Sequence, residues 1–495
     1  MKGSTHATRR RAALLGIATL LIYLATAGGS LATTDAVVTY EVTRNLLNEG
    51  SVALTDGRMV DEALRGVDGR FYSPFGIGQS IYNLPFYVAG SLVAGAIGER
   101  FGAPDMLPKA AVALGSAFAA AACVWVVYLF AWRLSGDSRA AALAALGLAF
   151  GSALWPYSKF GFNAPLTALA LTTGVYGVWL AIDRSRLAPF AWGGAALGFA
   201  LLTRHEMAVA AVPVIAWAVS NSHRNLRRRA FALTAAGPAI AFAIWLAYNE
   251  LRFGNPLYAG HEPGLGFTGF TGLLLSPGGS IFLYSPIAVA GVAALIRLRR
   301  DDPRTVAILG SVVVVLFVFY ASLDDWLGTR SYGPRYLVAL LPLLCVPLAP
   351  ALSTNARTWR LTIATAAGIG VVVQLPGIMV DPGKVNVALG RPGPVTVQER
   401  RHDWTLSALV LNARATTARL GPNIGYVLGS EAPPQLRSAG NEDPLSDRLA
   451  FSLDFWWLYA FYLGVLPVAS TLIAPAALLI CAGALIYRSM RPERT

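Results

Sequence analysis

Stretches of about 20 apolar residues recur along most of the chain, each long enough to cross a hydrocarbon core of roughly 30 Å as a helix. Backbone amides in lipid must be bonded within their own segment, so these stretches predict helices. The expected spans are 12–31, 110–132, 140–156, 164–182, 188–203, 206–221, 230–248, 281–296, 305–323, 336–352, 361–380 and 456–487. Segment 77–97 is also apolar enough to cross, but it carries Pro85 and the aromatic residues Tyr82, Phe86 and Tyr87, which suit a helix lying in the outer leaflet.

The connectors between spans alternate in character. One set is short and basic: Arg133 to Arg139, Arg184 with Arg186, Arg224 to Arg229, Arg297 to Arg304, and Arg357 with Arg360. The N-terminal Arg9-Arg10-Arg11 and the Arg488–Arg494 tail join it, and the positive-inside rule places this set in the cytoplasm. The mixed connectors at about 32–109, 157–163, 249–280, 324–335 and 381–455 then face outward. This alternation holds only if 77–97 stays at the outer surface; if it crosses, there are thirteen spans. The apolar run after Arg11 continues to about Leu31 with a poor cleavage match at Leu31-Ala32-Thr33, so it reads as a retained span rather than a signal peptide. The expected fold is an all-α polytopic protein of the cell membrane with about twelve spans, both termini in the cytoplasm and interfacial helices in the first outer loop. A transmembrane unit covers 1–380, a small outer segment 381–455 with one amphipathic helix near Trp404–Leu420, and a last span with its tail 456–495.

Composition agrees. Of 495 residues, 55% are hydrophobic and 14% charged, against about 25% charged in soluble domains. The net charge of +13 belongs to Arg clusters facing lipid headgroups and implies no nucleic acid. Cys123, Cys345 and Cys481 all fall in apolar stretches, and five His without ligand spacing give no zinc site.

Ionisable residues inside membranes usually mark function, and almost none lies at mid-span here. They cluster at the outer ends of spans, which points to a site at the outer surface. Asp35 follows the first span and opens a helix with Val38, Val42 and Leu46 on one face and Gly50 as its stop. From spacing alone it is either a helix cap or a general base. Glu41 is either a second acid or an exposed charge on the same helix. Gly69-Arg70-Phe71-Tyr72-Ser73-Pro74-Phe75-Gly76-Ile77-Gly78-Gln79 is a turn or a site-lining loop leading into the interfacial helix. Arg204-His205-Glu206, Tyr258 with His261, Asp324-Asp325-Trp326 and Ser331-Tyr332-Gly333-Pro334-Arg335-Tyr336 mark further span ends. Arg335 either holds a phosphate through its two-pronged guanidinium or snorkels to headgroups.

Taken in order, TTDAVVTYEVTRNLLNEGSVAL, GRFYSPFGIGQSIYNLPFYVAG, WPYSKFGFNAPL, ALLTRHEMAVAAVP, YNELRFGNPLYAGHE, GLLLSPGGSIFLYSP and DWLGTRSYGPRYLVALLP span about 12–350. In these stretches the chain resembles the GT-C superfamily of membrane glycosyltransferases, in particular bacterial relatives of protein O-mannosyltransferases and lipid A aminoarabinose transferase. The resemblance implies an inverting transfer from a polyprenyl-phosphate sugar to a glycan, lipid or protein acceptor on the outer face, as part of cell-envelope chemistry. It implies Asp35 as catalytic base. Many members have Asp-Glu where this chain has Asp35-Ala36, which leaves Glu41 as the substitute second acid. It implies Arg335, then Arg204 and Lys159, at the donor phosphate, with Tyr72, Tyr258, His261 and Tyr332 in the substrate cavity. No protein metal ligands are assigned; no cofactor is implied for certain, and a divalent metal is compatible with the family. Two other readings fit the residues: a lipid-linked glycan flippase or other transporter, and a noncatalytic membrane assembly subunit. The scarcity of mid-span charge and the lack of an internal repeat weigh against transport.

Overall fold

The computed structural model describes residues 2–31, 33–55, 63–97, 105–258, 260, 264–328, 331–354, 356–382, 384–385, 397–430 and 451–491. It is helical almost throughout, as the apolar pattern requires. Among the described residues seven helical segments are long and apolar enough to cross a membrane: Met106–Ser135, Ala164–Arg184, Arg227–Phe253, Pro303–Ala321, Arg335–Ser353, Arg357–Met379 and Val468–Met490. Four shorter apolar helices, Ser138–Gly151, Ala188–Thr203, Met207–Asn221 and Ile287–Leu298, occupy other expected spans. The helix Lys2–Ala25 carries the first expected span behind its arginines. The helix Gly78–Ile97, with Pro85 inside it, is not among the seven; it packs on Thr34–Asn48 and Met106–Ser135.

Small side chains let the helices approach closely, which is how membrane helices gain packing energy when lipid is as apolar as their own side chains. Met106–Ser135 and Ser138–Gly151 bury long runs of Ala between them. Ala188–Thr203 crosses Arg227–Phe253 where Gly198 meets Gly237, and a Cβ on either would run into the other helix's backbone. The core is one large cluster centred on these helices, with Tyr128, Phe130, Tyr176 and Trp179 filling the wider gaps.

The helix Lys2–Ala25 lies along both Met106–Ser135 and Val468–Met490. Its C-terminal carbonyls, left without intrahelical donors, are taken by indoles: Trp456 Nε1 donates to Leu24 O at 2.8 Å and Trp457 Nε1 to Ala25 O at 2.9 Å.

Residues 53–72 contain something the pattern did not predict, a three-stranded sheet of two-residue strands. Phe71–Tyr72 is central and antiparallel to both Ala53–Leu54 and Leu64–Arg65. In the expected outer segment 381–455 the helix Ala408–Val427 covers the amphipathic stretch. It packs on Arg357–Met379, and Leu411 and Ala415 share a small core with Val380, Leu453, Leu458 and Tyr462.

Candidate active site

One cavity of about 520 Å³ gathers most of the charged span ends. Its wall is drawn from Asp35; Pro74 to Gly76; Phe162 to Ala164; Thr203 to Glu206; Gly264; Phe319, Tyr320 and Leu323 to Asp325; and Arg335 with Tyr336.

Asp35 reaches it from the first turn of Thr34–Asn48. Thr33 is that helix's N-cap, its hydroxyl accepting from Ala36 N at 3.3 Å, so Asp35 is not needed as a cap. Its carboxylate turns instead to Arg335, whose Nη1 donates to Oδ2 at 3.1 Å. Both side chains are largely covered, 16% and 15% exposed. Asp35 Oδ1 has no hydrogen-bond partner among the described residues.

A second acid–arginine pair faces the same space. Arg204 follows the helix Ala188–Thr203 and Glu206 precedes Met207–Asn221, so the three-residue connection sets both at one helix-to-helix corner outside the spans. Arg204 Nη2 donates to Glu206 Oε1 at 3.0 Å, and His205 Nδ1 lies 3.8 Å from Oε2. Burial opposes the charge on Glu206, but the Arg204 guanidinium and His205 outweigh it and hold the carboxyl down at about 2. Glu206 is therefore an ionised acceptor at neutral pH rather than a proton carrier. His205 stacks on Trp245, with 5.6 Å between ring centres.

Two tyrosines join these pairs. The Tyr336 ring lies 4.7 Å from Arg204 Cζ and 5.0 Å from Arg335 Cζ, and its hydroxyl accepts from Arg335 Nη2 at 3.1 Å. Tyr320 stacks on it at 5.2 Å with 8° between the planes. Asp324 and Asp325 line the cavity as exposed acids, and the Asp324 amide donates to Gly264 O at 2.8 Å.

The loop Ser73–Gly76 is fastened from below by Arg252, a buried residue near the end of Arg227–Phe253. Its Nη1 donates to Ser73 O and, at 3.4 Å, to Phe75 O; Nη2 donates to Asn249 Oδ1 at 2.6 Å. Its guanidinium stacks on Tyr248 at 3.6 Å. Gly76 then lies flat on Leu202, where any Cβ would collide with the Leu202 carbonyl. This places Pro74 and Phe75 against the corner that carries Arg204.

Of the sequence candidates, Asp35, Arg335 and Arg204 meet at the cavity, and the others among the described residues do not line it. Glu41 is half-buried on Thr34–Asn48 and does not line it. Lys159 is fully buried in the connector between Gly151 and Ala164. Its ammonium donates to Ile378 O and, at 2.7 Å, to Asp454 O, tying those two stretches together. Burial pushes it down to about 7, against the pull of Asp454 and Asp381. Tyr72 donates to Asp68 Oδ2 at 2.8 Å beside the small sheet, and Tyr258 packs on Phe253 at 5.0 Å. Tyr332 bonds Val373 O and lines a separate small cleft with Tyr157 and Phe160. His261 lies outside the described residues. Among the described residues no three His, Cys, Asp or Glu side chains gather as metal ligands would. Tyr320 and Arg252 were not singled out by the sequence, and Tyr336 entered only as the last residue of the stretch that carries Arg335. Only the charged Arg204-His205-Glu206 triplet hinted at Glu206.

Residues 106–248 match the family model of dolichyl-phosphate-mannose-protein mannosyltransferases. No curated protein matches the chain. Two solved structures of ArnT from Cupriavidus metallidurans are similar to it. The one bound to undecaprenyl phosphate is 16% identical with a TM-score of 0.47, over 95% of this chain and 76% of that one. The apo one is 15% identical with a TM-score of 0.49, over 96% and 76%. The chain resembles membrane glycosyltransferases of the GT-C type, and over residues 106–248 it is similar to the dolichyl-phosphate-mannose-protein mannosyltransferase family.

Proposed function

We propose that the chain is an inverting membrane glycosyltransferase that moves a sugar from a polyprenyl-phosphate donor to a glycan, lipid or protein acceptor on the outer face of the membrane. The observation that carries this reading is the meeting of Asp35 and Arg335 on one cavity, with Arg204 in the same wall. The similarity of 106–248 to a family named for a polyprenyl-phosphate-linked donor supports the donor class.

The acceptor hydroxyl oxygen attacks the anomeric carbon as the bond from that carbon to the phosphate oxygen breaks. The hydroxyl proton passes to Asp35 Oδ1, and the electron pair leaves with the lipid phosphate. Arg335 and Arg204 stabilise the charge growing on that phosphate, a role in which fixed cations in a water-poor site are worth most. The carrier brings its own phosphate, so no nucleotide-binding fold is needed. Purified protein supplied with a polyprenyl-phosphate sugar and an acceptor extract should form glycosylated product and free polyprenyl phosphate. A transporter or assembly subunit would bind the lipid and release neither.

A further inference from the structure

Tyr336 occupies an unusual place. It touches two guanidinium groups at once, at 4.7 and 5.0 Å, and bonds one of them through its hydroxyl. Tyr320 backs it in a near-parallel stack and itself lies 5.6 Å from Arg204 Cζ. From one end of the cavity wall to the other the contacts run His205, Glu206, Arg204, Tyr336, Arg335, Asp35. Two like charges on one ring repel, and each is paired with its own carboxylate: Arg204 with Glu206, Arg335 with Asp35. The Tyr336 ring is a contact that the two guanidinium groups share. A π-face attracts both cations, and a guanidinium is planar enough to lie flat against it.

We propose that Tyr336 is a positioning residue that sets the spacing of Arg204 and Arg335, so that both close on one phosphate group. The proposal rests on the reading of this site as one for a phosphate-linked donor. The ring and the hydroxyl have separable duties. The ring holds both arginines; the hydroxyl fixes the rotation of Arg335 alone.

Two substitutions divide these duties. Tyr336→Phe keeps the ring and loses the hydroxyl; Tyr336→Leu loses the ring and stays apolar. The probe is undecaprenyl phosphate titrated onto the detergent-solubilised full chain, with undecaprenol as the control for the lipid tail. Tyr336→Phe should bind the phosphate within about threefold of the parent, while Tyr336→Leu should bind it roughly tenfold more weakly, with undecaprenol unchanged in both. In turnover the Leu variant should raise KM more than it lowers kcat, and Phe should restore it. Unchanged phosphate affinity in the Leu variant, or equal weakening in Phe and Leu, overturns the role of the ring. If Tyr336→Leu does not fold, Tyr320→Leu removes the backing ring instead; it should weaken phosphate binding several-fold, and no change there overturns the proposal. A parent protein that binds undecaprenyl phosphate no better than undecaprenol defeats the donor reading, and this proposal with it. Parent discrimination with an indifferent ring defeats this proposal alone.

Discussion

Asp35 and Arg335 are 300 positions apart in the chain and 3.1 Å apart in the cavity wall. One side chain thus holds the proposed base and the other the proposed phosphate site, and each limits where the other can point.

The first prediction is for Asp35→Asn. The amide oxygen still accepts from Arg335, and Thr33 still caps the helix, so folding should change little. The amide cannot take a proton, so turnover should fall by roughly 10²–10⁴. Affinity for polyprenyl phosphate should be retained. Transfer assays beside thermal stability and lipid binding check this; a stable variant with near-normal turnover moves the base elsewhere.

Arg335→Lys keeps the charge and a partner for Asp35 but gives up the fork that grips two phosphate oxygens. Affinity for polyprenyl phosphate should drop roughly tenfold, and further in Arg335→Ala. Equal affinity in the parent and both variants would return Arg335 to a purely structural role.

Acid sensitivity should trace to Glu206. Its carboxyl is held at about 2, below its ordinary 4.5, so the folded state binds its proton less readily than the unfolded chain. That stabilisation is complete above about pH 4.5 and drains away as pH falls toward 2, with an upper limit of ~3 kcal/mol. Melting temperature measured down the acid range should fall less steeply in Glu206→Gln, which should also start lower at neutral pH. Parallel curves would disconnect the pair from stability.

Orientation can be read with thiols. In a background where exposed Cys481 is replaced by Ser, cysteines at Ser135 and Ser222 should resist an impermeant reagent applied to sealed cells. Labelling of both would reverse the proposed topology.

Much of this was legible in the sequence because lipid imposes a simple rule: apolar runs become helices, and charge goes to their ends. That rule set Asp35, Arg204 and Arg335 at span ends, and one cavity brings the three together. The rule failed where rotation or distant partners decide. Glu41 lies six residues beyond Asp35, which turns it about 120° around the helix, off the cavity face. Lys159 looks like any outer lysine until the carbonyls of Ile378 and Asp454, 219 and 295 residues further on, are known. Tyr320 and Tyr336 read as ordinary aromatics at span ends, since their stacking exists only once Pro303–Ala321 and the start of the next span are side by side. Arg252 carries no local sign that its target is a loop 179 residues earlier.

The helix Lys2–Ala25 has one long neighbour that follows soon after it and another, Val468–Met490, that lies about 440 residues downstream. At about 5–20 residues per second the ribosome needs roughly 20–90 s to bridge that interval. Throughout that time one flank of the helix lacks its late neighbour and the carbonyls of Leu24 and Ala25 lack their indole donors, because Trp456 and Trp457 have not yet been made. Biogenesis of this protein is thus a matter of keeping an early half-finished seam out of trouble until its late partner arrives.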